Sequence, residues 1–432
     1  MTPAARLAAS IEILDAWLAR PEPVDGLLRN WGHAHRFAGS KDRAAIGDRV
    51  YAVLRAKSLL AARTGEESGR ALVLASLAGL DGLSVPEIDT LLTSGGPHAP
   101  PPLSEAERGH LAKAPTDLPP WIAGSYPQWL HDDLKRMFGA ALAREAQAWL
   151  DRAPLDLRVN TLKVTREEAQ AELSAHGFDA QSTPISPIGL RLSGGAALAA
   201  SAPYRDGLVE IQDEGSQLSV LVAGARPGMT VFEIGAGAGG KSLALAAAMK
   251  NQGRLIAADI DAPRLERLGP RAARAGASII ETRVVKDGTS LDDVAGACDL
   301  VFIDAPCSGS GTWRREPENK WRLTPAILAE RIATQRALLT DAARCVRPGG
   351  RLVYVTCSLL PQENEDRVSE FLVENRQFVP EENGMGLAAA AHLPMTAGRM
   401  QLSPGQTQTD GFFVAVLTRA SDAEGLTGRR QE

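Results

Sequence analysis

One pattern dominates the second half of the sequence: an apolar strand, a turn and a helix recur from about Asp206 onward. This alternation predicts a doubly wound, mostly parallel β-sheet covered by helices, which is a Rossmann-like α/β fold. Both faces of such a sheet are buried, so its strands are continuous apolar runs. The predicted strands are Thr230–Ile234, Arg254–Asp259, Ile279–Val285, Asp299–Asp304 and Arg351–Thr356.

A glycine-rich turn follows the first of these strands and satisfies the spacing GxGxxG at Gly235, Gly237 and Gly240. Glycines let the backbone turn sharply and approach a ligand beside a helix N-terminus. Asp259 ends the next strand, where a carboxylate can bind a ribose hydroxyl. The local motif fits a nicotinamide dinucleotide as well as S-adenosylmethionine, and it cannot choose between them.

The residues that follow the later strands narrow this choice, because ligands of open α/β sheets gather at the carboxyl ends of the strands. Asp259 ends the second strand, Asp287 follows the third, Asp304 ends the fourth and Cys357 follows the fifth. Cys307 lies in the glycine-rich loop after Asp304, so we expect its thiol to face the same cleft. A nicotinamide-dependent dehydrogenase has no evident use for two thiols there.

The chain has four cysteines, all in its C-terminal third and none in a CxxC arrangement, so we expect free thiols and no structural metal. Cys298 and Cys345 lie in sequence contexts typical of core packing. Cys307 and Cys357 suit a reaction at carbon 5 of cytosine, which becomes nucleophilic once a thiolate adds at carbon 6. A second thiol could assist loss of the C5 proton, and Asp304 could hydrogen-bond N3 and the exocyclic amine.

Residues 1 to about 140 show helical periodicity and no convincing strand, which predicts an all-helical domain. The net charge of −5 gives no sign of a nucleic-acid partner, but the charge is unevenly distributed. Residues 29–57 hold seven Lys or Arg against two acids, and residues 310–336 hold six against three. These two stretches are candidate RNA surfaces.

A small α+β module is predicted near Leu155, where a strand-like segment precedes a helix with Thr165 as N-cap and Glu168 three residues later. The length of 432 residues fits two or three domains. No segment is long and apolar enough for a membrane span or a signal peptide, so we expect a cytoplasmic protein without membrane contact. The predicted domains are residues 1–140, 141–205, 206–422 and a polar tail, 423–432.

Several motifs together resemble the Sun-type RNA cytosine-C5 methyltransferases, which include the bacterial small-subunit ribosomal RNA enzymes. The resemblance covers essentially the whole chain, and the two separate cysteine motifs are its most specific part. The N-terminal stretch 36–51 resembles the NusB-like RNA-binding domain of the bacterial members, and the module near Leu155 resembles their RRM-like insertion. The motifs lie at 157–163, 212–218, 239–241, 304–309, 311–315, 356–358, 363–364 and 409–413.

The resemblance implies a class I methyltransferase domain that uses S-adenosyl-L-methionine, with Cys357 as nucleophile, Cys307 promoting product release and Asp304 as the third catalytic residue. One difference is that this chain has Gly-Ala-Gly-Ala-Gly-Gly-Lys where the family usually has Cys-Ala-Ala-Pro-Gly-Gly-Lys, so we expect a looser loop. The implied cofactor-binding residues are Gly235, Ala236, Gly237, Ala238, Gly239, Gly240, Lys241, Asp259, Asp287 and Asp304.

The sequence therefore predicts an RNA methyltransferase that forms 5-methylcytosine, in 16S ribosomal RNA, acting as a monomer without a metal ion. Transfer RNA is an alternative substrate. A further alternative is an RNA-binding assembly factor whose catalytic activity is dispensable. The complete set of thiols, acids and glycine-rich loop disfavours that second alternative.

Overall fold

The computed structural model describes residues 1–194, 198–286, 289–381 and 395–421. Within these residues the chain forms two compact units. The first unit comprises residues 1–152, 312–324 and 404–406, and the second comprises the rest. The domain boundaries predicted at residues 140 and 205 stay predictions, and the predicted tail 423–432 lies outside the described residues.

The first unit is helical, as the periodicity of its sequence predicted. Apolar residues three or four positions apart, such as Ile13 and Trp17 of the first helix, point into one shared core. The described part of this unit contains no strand. Its helices are α1 (Pro3–Ala19), α2 (Val24–Ala34), α3 (Ser40–Arg55), α4 (Lys57–Thr64), α5 (Gly69–Gly79), α6 (Val85–Thr93), α7 (Glu105–Leu111), α8 (Pro120–Ala123), α9 (His131–Phe138) and α10 (Leu142–Ala148).

Residues 312–324 also belong to the helical unit, although they come late in the chain. Lys320 donates a hydrogen bond to the carbonyl of Arg55 at 2.9 Å, and the Trp321 indole donates to the carbonyl of Leu54 at 2.8 Å. Lys320 and Arg314 are buried, as are Arg55 and Lys57. The expectation that both basic stretches form RNA surfaces is wrong for these four residues, because packing inside the unit removes them from solvent.

The second unit begins with an antiparallel four-stranded sheet of order β2-β3-β1-β4. Thr165 caps the first helix of this module, and its side chain and that of Glu168 form the predicted capping box. That helix packs Ala169 and Leu173 against the sheet. The elements are β1 (Leu155–Val159), α11 (Arg166–Ala175), β2 (Ala180–Ser182), β3 (Gly189–Leu192), α12 (Ala202–Arg205) and β4 (Val209–Ile211).

The larger sheet confirms the predicted doubly wound fold. Its central strands run parallel in the order β9-β8-β5-β6-β7, and antiparallel strands β13, β12 and β11 extend the edge beside β9, with β10 also paired to β13. The strands are β5 (Thr230–Ile234), β6 (Arg254–Asp259), β7 (Ile280–Val284), β8 (Cys298–Asp304), β9 (Val346–Thr356), β10 (Phe378–Pro380), β11 (Met395–Thr396), β12 (Arg399–Leu402) and β13 (Phe412–Arg419).

Both faces of this sheet are buried, as its continuous apolar strands require. Val231 packs into a core on one face with Leu218 and Leu243, whereas its neighbour Phe232 packs into a second core on the other face with Leu339. The remaining helices are α13 (Glu214–Ala223), α14 (Gly240–Ala248), α15 (Ala262–Glu266), α16 (Leu268–Ala275), α17 (Pro317–Arg322), α18 (Pro325–Cys345), α19 (Glu365–Glu374) and α20 (Pro404–Thr407).

Short 3-10 helices occupy Gln128–Leu130, Gly139–Ala141, Leu198–Ala200, Ser310–Thr312 and Pro361–Glu363. Among the described residues, no helix combines the length and apolar character that crossing a membrane would demand.

The order of the parallel strands reverses between β5 and β8, which places the expected ligand crevice at the carboxyl ends of these two strands.

Candidate active site

The glycine-rich loop after β5 lies at this crevice and has a backbone that needs glycine. Gly235, Gly237 and Gly239 have φ angles of +84°, +54° and +85°. A Cβ atom on Gly235 would lie 2.2 Å from the carbonyl oxygen of Asp304. The loop therefore passes directly against the end of β8, and a side chain at position 235 would fill that space.

Hydrogen bonds fix this loop to the end of β6. The amides of Gly235 and Ala236 donate to the carbonyl of Ala258 at 2.9 and 3.0 Å, and the amide of Gly237 donates to Asp259 Oδ2 at 2.7 Å. Arg271 donates to the carbonyl of Ala238 at 2.7 Å. These bonds bring the loop and Asp259 together, and they hold the loop that the sequence led us to expect would be loose.

Lys241 and Asp304 form an ion pair in the crevice, with Lys241 Nζ 2.7 Å from Asp304 Oδ2. Burial disfavours the ammonium, but the attraction and hydrogen bond of Asp304 outweigh that effect, so the pKa of Lys241 is raised. Lys241 therefore keeps its proton at neutral pH. The pair joins the start of α14 to the end of β8.

The two predicted thiols are in contact. Because β8 and β9 are parallel neighbours, the residues that follow them leave the sheet side by side, and Cys307 Sγ lies 3.4 Å from Cys357 Sγ. The hydrogen bond with Cys357, followed by burial, raises the pKa of Cys307 well above the ordinary thiol value. Cys307 thus holds its proton at neutral pH, with Cys357 as the neighbour it can bond to.

A buried carboxylate supports both thiol loops. Glu363 accepts hydrogen bonds from the Ser308 amide at 2.8 Å and from the hydroxyl of Ser358, so it ties the residue after Cys307 to the residue after Cys357. Gln335 donates to the same carboxylate at 3.0 Å. Sequence reasoning quoted Glu363 as part of a motif and gave it no role. No local sequence pattern marks Glu363 as buried, so only the tertiary structure identifies this carboxylate as the link between the two loops.

Two glycines bring a third segment to the thiols. The Gly311 amide donates to the carbonyl of Cys357 and the Gly411 amide donates to the carbonyl of Gly311, each at 2.9 Å. A Cβ atom on Gly311 would lie 2.1 Å from the carbonyl oxygen of Gly411. The backbones of these segments are too close for any side chain, which explains why both motifs contain glycine.

The sequence also made predictions for Asp287, Cys298 and Cys345. Asp287 lies outside the described residues, so its predicted role stays a prediction. Cys298 and Cys345 are fully buried in the sheet core, as their sequence contexts indicated.

The chain is similar to known methyltransferases. The family described as 16S rRNA methyltransferase RsmB/F matches residues 220–418, and its ferredoxin-like domain matches residues 126–199. A probable ribosomal RNA small subunit methyltransferase B of Synechocystis sp. is 32% identical over 68% of this chain and 67% of its own length. Its counterpart in Bacillus subtilis is 30% identical over 68% of this chain and 66% of its own length.

The chain belongs to the RsmB/F methyltransferase family. A crystal structure titled PH0851 has a TM-score of 0.74 at 26% identity, and it covers 96% of this chain and 99% of its own. The alignments with the curated relatives span about two thirds of their length. This RsmB/F-family chain is an RNA methyltransferase that uses S-adenosylmethionine.

The crevice of this RsmB/F-family enzyme fits that cofactor. Glu233 of β5 is fully buried, and neither of its carboxylate oxygens has a hydrogen-bond partner in the described residues. Burial raises its pKa to about 7. An orphaned acid beneath a glycine loop suits a ligand with an ammonium group, which S-adenosylmethionine carries. The sequence feature that could have identified Glu233 is that it is a single acid inside the apolar run 230–234.

Arg158 is another residue of this family member that the sequence analysis quoted within a motif, 157–163, without giving it a role. Its guanidinium donates to the carbonyl of Gly240 at 2.7 Å and to Gln212 at 2.8 Å. It is buried, and desolvation lowers its pKa to about 10. Arg158 therefore links the small module to the first turn of α14, immediately behind the cofactor loop.

Proposed function

We propose that this enzyme forms 5-methylcytosine in 16S ribosomal RNA, with Cys357 as the covalent nucleophile and Cys307 as the residue that assists product release. The observation that carries the proposal is the 3.4 Å contact of the two thiols beside the Lys241–Asp304 pair. The names of the relatives, which are ribosomal RNA methyltransferases, support ribosomal RNA over transfer RNA. A ribosomal substrate places the reaction in the cytoplasm.

In the first step, the Cys357 thiolate adds to carbon 6 of an unpaired or flipped cytosine and forms a carbon–sulfur bond. The electrons of the C5–C6 double bond move to carbon 5, from where they later form the bond to the methyl group, and the Asp304 carboxylate can accept a hydrogen bond from the exocyclic amine of the base. Lys241, in turn, holds the carboxylate of Asp304 in place. The Asp304 contact would distinguish the exocyclic amine of cytosine from the carbonyl of uracil.

Bound S-adenosylmethionine would supply the methyl group that carbon 5 takes. The residues proposed to hold it are those of the loop from Gly235 to Lys241, with Asp259 at the ribose and Glu233 at the ammonium group. Ile260, directly after Asp259, is 76% exposed and offers an apolar surface to the adenine.

Release requires that carbon 5 lose its proton and that the carbon–sulfur bond break to return the Cys357 thiolate. Cys307 is in contact with Cys357 and is protonated at neutral pH, as its raised pKa shows. It can donate its proton to the departing Cys357 sulfur, and the Cys307 thiolate that results can accept the proton that carbon 5 loses. We propose this stabilisation of the leaving thiolate as its contribution to release.

The test is methyl transfer from radiolabelled S-adenosylmethionine to 16S ribosomal RNA, with denaturing gels to detect covalent protein–RNA adducts. Cys357→Ala should lose activity and form no adduct, whereas Cys307→Ala should accumulate an adduct. Cys345→Ala, a buried thiol of the core, is the matched control and should remain active. Normal activity of Cys357→Ala would show that the role assignment is wrong.

The modified base is tested separately by bisulfite sequencing of ribosomal and transfer RNA from a deletion strain. Loss of 5-methylcytosine at a 16S position, restored by the wild-type gene and not by Cys357→Ala, is the expected result. If 5-methylcytosine were lost from transfer RNA alone, transfer RNA would be the substrate in place of ribosomal RNA. Unchanged methylation in all RNAs, with altered ribosome assembly, would favour an assembly factor.

A further inference from the structure

The corner between α2 and α3 carries an exposed aromatic ring whose neighbours in the sequence include four exposed cations. Phe37 is 73% exposed, the largest exposed fraction among the aromatic side chains of the described residues. Four cations that are near Phe37 in the sequence are also exposed to solvent: Arg29, Arg36, Lys41 and Arg43. We call Arg29, His35, Arg36, Phe37, Lys41 and Arg43 the corner patch.

The Phe37 ring is held in place from below. Its ring meets that of His35 edge to face at 5.7 Å, and His35 stacks on Trp31 with ring centroids 4.3 Å apart. Trp31 is buried and its indole donates to Glu12 at 3.1 Å. Ala38 is buried and its amide bonds the carbonyl of His35, which fixes the turn that presents Phe37. The exposed ring is therefore preorganised for a flat partner.

Packing of α3 against α2 also brings Arg43 onto the helix that carries Arg29. The side chain of Arg43 lies over Gly32, where a Cβ atom would be 3.1 Å from Arg43 Cδ. Arg29 is one helical turn before Gly32, and Arg36 follows the end of α2. In the described part of the chain, no hydrogen bond or ion pair occupies the side chains of Arg29, Arg36, Lys41 and Arg43.

The acids of the same region are engaged elsewhere. Asp42 accepts a hydrogen bond from Arg6 at 2.8 Å, and Asp48 accepts one from Arg152 at 2.9 Å. Asp25 accepts a hydrogen bond from the Tyr51 hydroxyl at 2.6 Å. The corner patch thus keeps a local excess of positive charge, although the whole chain has a net charge of −5.

We propose that the corner patch binds the RNA substrate outside the active site, by stacking an unpaired base on Phe37 and contacting the flanking phosphates with its cations. Base stacking on an aromatic ring combined with cations for the backbone is how proteins bind single-stranded RNA. This inference rests on the proposed function, because it assumes that the substrate is RNA.

The experiment measures binding of the full-length protein to a fluorescein-labelled single-stranded oligoribonucleotide and to its duplex, over a series of salt concentrations. Phe37→Ala should weaken binding of the single strand about fivefold or more and change duplex binding little. Phe37→Leu, which stays apolar and cannot stack, should behave like Phe37→Ala, and Phe37→Tyr should bind like wild type. Arg36→Ala should reduce the slope of log K against log salt by about 0.7.

Two exposed residues of the same helical unit provide matched controls, Trp129→Ala for the ring and Arg144→Ala for the charge. Both should bind RNA like wild type. The helical circular dichroism signal and its melting temperature should be equal in all variants, which shows that the helical unit of each is folded.

The inference is overturned if the corner-patch variants bind RNA like wild type. It is also overturned if the control variants lose as much affinity for RNA as the corner-patch variants lose. Patch-dependent binding to phosphatidylserine vesicles in place of RNA would also overturn it. A wild-type enzyme that methylates 16S RNA while the corner-patch variants keep full affinity would contradict this inference alone. A wild-type enzyme that methylates no RNA would contradict the proposed function.

Discussion

A single buried carboxyl group shows how strongly the fold sets the chemistry of one residue. Glu233 lies within an apolar strand, and the ionisable groups that act on its pKa are Asp304, Lys241 and Asp259 of the crevice. Burial raises its pKa from 4.5 to about 7. In the absence of ligand, the folded state therefore binds a proton more tightly at this site than the unfolded chain does.

This difference predicts how Glu233→Gln changes stability with pH. In wild type, the raised pKa of Glu233 contributes fully to the free energy of unfolding below about pH 4.5, and this contribution is lost as the pH rises toward about 7. Glutamine does not titrate, so the variant has no such pH-dependent contribution. The melting temperature of the variant relative to wild type should thus increase over this window, by the equivalent of about 3 kcal/mol. Thermal melting of the ligand-free protein measures it, with Glu172→Gln, an exposed acid, as control. A constant difference across the window would contradict the prediction.

At the level of elements, local sequence signals set where helices begin and where strands end. Strands β5 and β6 have the bounds that their apolar runs predicted. Helix α11 begins where its capping box predicted, with the Thr165 hydroxyl accepting from the Glu168 amide at 3.2 Å and the Glu168 carboxylate accepting from the Thr165 amide at 2.8 Å. Both signals act over a few residues and need no distant contact.

Removal of this cap should therefore have a local effect. Thr165→Ala should destabilise the first turn of α11 by about 1 kcal/mol, because one amide loses its hydrogen-bond acceptor. Native-state hydrogen exchange should show about a fivefold loss of protection in that turn. Glu172→Ala, on the exposed side of the same helix, is the control. Equal protection in the Thr165→Ala variant and wild type would show that tertiary contacts hold the turn without the cap.

At the level of the whole molecule, the helical unit is assembled from distant parts of the chain. Residues 312–324 follow directly on the loop of Cys307, yet they pack with helices formed by the first 152 residues. Trp321 contributes an indole hydrogen bond to Leu54, and its ring lies 4.5 Å from Lys57 Nζ. The helical unit therefore depends on a segment that lies within the second unit in the sequence.

Trp321→Ala should loosen the helical unit by about 3 kcal/mol, since it removes a large ring and a hydrogen bond together. Hydrogen exchange should accelerate in α3 and α4, while β5 and β8 keep their protection. Trp129→Ala, which removes an exposed ring from the same unit, is the control and should change little. If α3 and α4 exchange at the wild-type rate in the Trp321→Ala variant, the segment does not stabilise the unit.

The sequence by itself determined the Rossmann-like sheet, the helical N-terminal region and the positions of Asp259, Asp304 and Cys357 at strand ends. These features follow from short-range periodicity and from the rule that parallel strands deliver their carboxyl ends to one edge. The division of roles between the two cysteines came from family resemblance, because spacing cannot rank two thiols.

Only the tertiary structure decided the contact between Cys307 and Cys357, the orphaned carboxylate of Glu233 and the position of Glu363 between the thiol loops. It also decided that Lys320 is buried although the sequence placed it in a basic stretch. The physical reason is the same in each case. Burial and side-chain contact depend on which distant segments pack together, and that information is not contained in any local pattern of residues.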